Sequence, residues 1–127
     1  SLCLIPHLLR DGVGLETLGV LTFNAEKLGP IHYAGVGAAI PAAQNGLVLG
    51  NIFQKCIAND FTELDLALAQ AEVVACAQAL KRAHPRVTQL ILECTNLAPY
   101  RAAIEAATGM RIYDIRDAVE RICPISK

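Results

Sequence analysis

A cysteine followed by two short polar side chains, Cys94-Thr95-Asn96, closes the apolar run Leu90-Ile91-Leu92. That order of residue types suits the delivery of a thiolate to a ligand site. Three successive apolar residues fit a strand covered on both faces, as in a parallel sheet. Pro99 favours a first helical position, where its missing N–H has no intrahelical partner, and the residues behind it form helix readily. Cys94 is therefore expected at the carboxyl end of a strand, near the positive end of a helix dipole. Open α/β sheets bind ligands beyond the carboxyl ends of their strands, and a helix N-terminus favours thiolate over thiol. Such a thiolate could serve as a base or a nucleophile, while Thr95 and Asn96 could hold a carboxylate. Cysteine is also among the most buried residue types, so the same position suits simple packing. The polar neighbours distinguish the two readings, because a core strand rarely needs them.

The elements that must position this corner are legible in the periodicity. Residues 18–23 read as a buried strand, and Asn24 can cap a helix behind it. Gly29-Pro30 interrupts that helix, which restarts through Tyr33. The glycine-, alanine- and proline-rich segment 35–46 reads as a loop, and 47–51 as a second short strand. Thr62 can cap the longest helix, 63–83, with Asp65 close to completing a capping box. Leu66, Ala69, Val73, Cys76 and Leu80 recur there at helical spacing as one apolar stripe, so Cys76 reads as a small core residue. Lys81 and Arg82 suit the negative end of that helix, and Pro85 stops it. A strand over 88–94, a helix over 99–108 capped by Gly109, a strand over 111–115 and a helix over 116–123 complete the pattern. Strands and helices alternate throughout. The expected fold class is α/β, with a doubly wound, about four-stranded parallel sheet flanked by helices. Thr22, Asn51, Cys94 to Asn96 and Asp114 then line one edge of it.

Composition narrows the chemistry. At 127 residues the chain reads as a single domain with a core of its own. Apolar residues make up 54% and mean hydropathy is +0.39, which excludes a disordered tail. A net charge of −1 offers no basic surplus for phosphates, so nucleic acid is not an expected partner. No apolar run reaches the roughly 18 residues of a membrane span. The first ten residues lack a basic leader and contain Pro6, so they do not read as a signal peptide, and the absence of an initial methionine hints at a processed or truncated start. The five cysteines are widely spaced without a C-x-x-C pair, and His7, His32 and His84 stand far apart. Neither a metal site nor a disulfide framework fits, and a reducing cytoplasm is the expected compartment. Gly35-x-Gly37 is followed by Ile40 where a dinucleotide fingerprint needs its third glycine. No cofactor is expected.

The segment Leu92-Glu93-Cys94-Thr95-Asn96-Leu97-Ala98-Pro99-Tyr100, with residues 19–28 before it and 108–115 after it, resembles the aspartate/glutamate racemase superfamily of cofactor-independent enzymes. The resemblance runs along nearly the whole chain but corresponds to the second half of a typical member, with residues 1–16 similar to the segment that joins the halves. It implies one of two similar α/β lobes with an active site between them, each lobe supplying one cysteine. Cys94 would be the catalytic thiol of this lobe. Thr95 would bind the substrate carboxylate through its hydroxyl and backbone N–H, Asn96 would stand where relatives vary, and Thr22 would match a substrate-contacting loop. Cys3 does not match the cysteine motif of the other lobe. The implied substrate is a small amino acid or carboxylate, and the implied partner is a first lobe or a second copy in a homo-oligomer. Inverting an α-carbon demands a base on one face and an acid on the other, and one thiol supplies half of that. A racemase-type isomerase is the leading expectation. A one-thiol decarboxylase or cis–trans isomerase of a small dicarboxylate is the alternative, and a non-catalytic lobe the third.

Overall fold

In the computed structural model the described residues are 2–22, 29–35, 37, 41, 43–46, 66–93 and 95–122, with backbone alone described at 45, 46, 66–69, 95, 96 and 122. The elements run α1 (Leu4–Arg10), β1 (Leu18–Thr22), α2 (Pro30–Ala34), β2 (Ala43–Gly46), α3 (Leu66–Ala83), β3 (Gln89–Leu92), a 3-10 helix (Thr95–Tyr100), α4 (Arg101–Thr108), β4 (Arg111–Tyr113) and α5 (Ile115–Ile122). The sheet has four strands in the order β2-β1-β3-β4, and every pairing is parallel. The α/β, parallel-sheet expectation therefore holds.

Alternation along the strands builds a core on each face. Leu21, Leu90, Leu92 and Ile112 turn to the side covered by α3 and α4, where they meet Val73, Ala77, Leu80 and Ile104. Leu18, Val20, Ile91 and Tyr113 turn to the opposite side, against Leu4, Ile5 and Leu8 of α1, Tyr33 of α2 and Ala118 of α5. Gly19 lies beneath Leu80 of α3 and Val87. A Cβ there would sit 3.1 Å from both Leu80 Cδ2 and Val87 Cγ1, so the bare backbone makes room for the helix.

Several boundaries differ from the sequence reading. The second strand is Ala43–Gly46, inside the segment expected to be a loop, and the expected strand at 47–51 lies outside the described residues. An edge strand needs only ladder bonds and one covered face, so its residues need not be apolar. Here Gly19 pairs with Ala43 and Thr22 with Gly46. The opening residues form α1, a segment to which the sequence reading assigns no element. Pro6 is its third residue, and the first four N–H groups of a helix have no intrahelical acceptor, so proline forfeits nothing there. Pro99 sits inside the 3-10 helix rather than opening an α-helix, and α4 begins at Arg101. Helical winding thus starts sooner after β3 than expected, at Thr95. The Gly109 cap is as expected, with φ +70° ending α4. On α3 the buried stripe is Val73, Ala77 and Leu80, with Cys76 packed partly against it. Lys81 donates to the carbonyls of Pro85 and Val87, tying down the turn that follows its helix.

Candidate active site

β1 and β3 are neighbours in space although β2 lies between them in sequence. The chain leaves β1 toward one edge and returns to build the other side of the sheet. The carboxyl ends of β1 and β3 are therefore the topological switch point of the sheet, the position at which open α/β sheets hold ligands.

Two polar side chains meet there. Leu21 pairs with Leu92, so the next position on each strand brings Thr22 beside Glu93. Thr22 Oγ1 donates a 2.7 Å hydrogen bond to Glu93 Oε2 across 71 positions of sequence. The Glu93 N–H donates to the carbonyl of Leu21 at 2.8 Å, carrying the β1–β3 ladder one residue past β3. Thr22 is 3% exposed and Glu93 is half-buried. By alternation both share the side of the sheet occupied by Ile91 and Tyr33. Tyr33 is buried on α2, and its phenol donates to Gln44 of the edge strand. Burial first, and then the negative charge of Glu93, push that phenol up to about 12. It stays protonated near neutral pH, and the field of the Glu93 carboxylate reaches it.

The structure treats the residues chosen from sequence differently. Thr22 stands at the carboxyl end of β1, and its single hydroxyl proton goes to Glu93. Thr95 and Asn96 open the 3-10 helix that leads away from β3, which sets their backbone at the same edge. Cys94 and Asn51 lie outside the described residues. Asp114, at the end of β4, is engaged elsewhere. It is 1% exposed and caps α5, accepting from the Arg116 N–H at 2.8 Å while its own N–H donates to Asp117 Oδ2 at 2.9 Å. Its carboxylate pairs with Arg116 Nη2 at 2.6 Å and Arg101 Nη1 at 3.3 Å. Burial works to raise its pKa, but the hydrogen bonds from Arg116 and Arg101 outweigh that and hold it at about 2. It is a structural anion rather than a base. Cys76 is also no thiolate, since burial pushes its thiol up to about 11.

Glu93 is the candidate site residue that periodicity misses, because hydropathy counts it only as the end of an apolar strand next to the cysteine. A carboxylate at that point, two residues beyond the buried Ile91, is the available signal. Among the described residues, no group of three or more His, Cys, Asp or Glu side chains could hold a metal ion. Among the described residues, no helix is long and apolar enough to cross a membrane.

No family model matches the chain, and no solved structure matches it. Over 130 aligned positions the chain is 25% identical to a dimethylsulfoniopropionate lyase from Durusdinium sp. clade D. The alignment takes in 90% of this chain and 39% of that protein, so the chain spans about two fifths of the relative's length.

Proposed function

We propose that this chain forms one lobe of a cofactor-independent enzyme that removes a proton from the carbon next to a carboxylate, with Cys94 as the base. The carrying observation is the Thr22–Glu93 contact at the β1/β3 switch point, since Glu93 directly precedes Cys94 in the chain. The resemblance of residues 92–100 to the aspartate/glutamate racemase superfamily supports the same step. In that reading the Thr95 backbone N–H and hydroxyl hold the substrate carboxylate, Asn96 orients it, and Thr22 braces the crevice from β1. The opposing face of the crevice comes from another lobe or a second copy of this chain.

The same first step leads to two products. Racemisation needs an acid on the far face to return the proton. Elimination does not. When the β-carbon carries a sulfonium, the base takes the α-proton, the C–H electrons form the C=C bond, and the C–S electrons leave with a neutral sulfide. The dimethylsulfoniopropionate lyase relative favours this second outcome for the chain, and one thiol suffices for it. The test incubates the protein and its Cys94→Ser variant in heavy water with aspartate, glutamate and dimethylsulfoniopropionate, following α-deuteration by NMR and dimethyl sulfide by headspace analysis. Deuteration or sulfide release that depends on Cys94 supports the reading, and the product distinguishes isomerase from lyase. Equal rates for both proteins remove Cys94 from the mechanism.

A further inference from the structure

The carboxylates around the end of β4 are matched by arginines: Asp114 by Arg101 and Arg116, Asp117 by Arg101 at 2.6 Å. Glu93 is different. It is half-buried at the switch point, and among the described residues no lysine, arginine or histidine pairs with it. Thr22 donates to Oε2, while Oε1 has no donor among the described residues. The carboxylate is held in place from below by a buried hydroxyl and by the backbone bond to Leu21. A negative charge fixed at a half-buried position is attracted to a cation more strongly than one on open surface, because the local dielectric is lower.

We infer that Glu93 is the subsite for a cationic onium group, so the crevice selects zwitterions that carry both a carboxylate and an ammonium or sulfonium. This rests on the reading of the crevice as a carboxylate-binding site. The like charge of Glu93 turns the substrate carboxylate away, toward the start of the 3-10 helix at Thr95, and draws the cation in. One subsite then serves both substrate classes: an amino acid bears its ammonium on the α-carbon, and a β-sulfonium carboxylate bears its cation one carbon further. Elimination discharges the cation, so a neutral sulfide product loses its hold on Glu93. Thr22 acts here as a positioning residue for that carboxylate.

Binding rather than turnover tests this, using the Cys94→Ser protein so that no ligand is consumed. Two matched pairs are titrated by calorimetry: dimethylsulfoniopropionate against its neutral thioether analogue 3-(methylthio)propionate, and aspartate against succinate. The onium member of at least one pair should bind about tenfold tighter, and the pair that shows it identifies the cation as sulfonium or ammonium. Adding Glu93→Gln, which keeps an acceptor for Thr22, should erase that preference without weakening the member of each pair that lacks the cation. In the Cys94→Ser protein itself the preference should shrink as sodium chloride rises from about 20 to about 500 mM, since salt screens the charge pair. Equal affinity within both pairs, or a preference that survives Glu93→Gln, overturns the inference while leaving the carboxylate site standing. Failure of all four compounds to bind overturns both.

Discussion

Replacing Asp114 with asparagine separates the charge of this residue from its capping role. Asparagine caps helices about as well as aspartate, so the bond from the Arg116 N–H is kept and only the charge is lost. A carboxyl that ionises at about 2 in the fold and at 3.8 in the unfolded chain contributes about 2 kcal/mol to stability at neutral pH. Because the folded pKa is the lower one, that stabilisation is present above pH 3.8 and is lost as pH falls toward 2. Asp114→Asn should therefore cost about 2 kcal/mol at pH 7 and about 1 kcal/mol at pH 3. Urea unfolding followed by far-UV circular dichroism, at low salt and at both pH values, measures the two gaps. A deficit that does not change with pH would place the cost in packing or capping and refute the charge-based account. No deficit at all would mean that the arginines at Asp114 gain nothing over their hydration.

Two further perturbations test the packing. Gly19→Ala pushes a methyl toward Leu80, Val87 and Leu90, the nearest atoms being at 3.1 to 3.3 Å, and overpacking of this kind costs about 1–3 kcal/mol. A shift in the urea midpoint reads it, and an unchanged midpoint would show that α3 yields freely. Cys76, with a thiol at about 11, should alkylate with iodoacetamide at pH 8 about tenfold more slowly than a small free thiol. Its lower thiolate fraction outweighs the higher nucleophilicity of that thiolate. Peptide mass mapping of a timed reaction checks this, and equally fast labelling would mean that the thiol is not shielded by the core.

The apolar runs at 18–21 and 90–92 identify two buried strands without any structural information, since a strand of a sheet covered on both faces takes apolar residues in succession. Gly109 announces its cap in the same local way. The edge strand Ala43–Gly46 is invisible because its stability comes from ladder bonds to β1, which leave no trace in side-chain hydropathy. Helix α1 is obscured by Pro6, which reads as a breaker unless its place in the first turn is known. Asp114 and Thr22 look alike as polar residues at strand ends. Their surroundings divide them: two arginines and a helix N-terminus occupy Asp114, whereas Thr22 meets an acid that no described cation neutralises.

By itself, the sequence determined the alternating α/β plan, the corner at which Cys94, Thr95 and Asn96 follow a buried strand, and the absence of a basic surplus. These depend on residue type and short-range spacing alone. Tertiary structure decided that β1 and β3 lie side by side, that their register sets Thr22 against Glu93, and that this pair stands at the switch point of the sheet. Strand order and register join residues 71 positions apart. No local pattern encodes such a meeting, because it arises from how whole helices cover the two faces of the sheet.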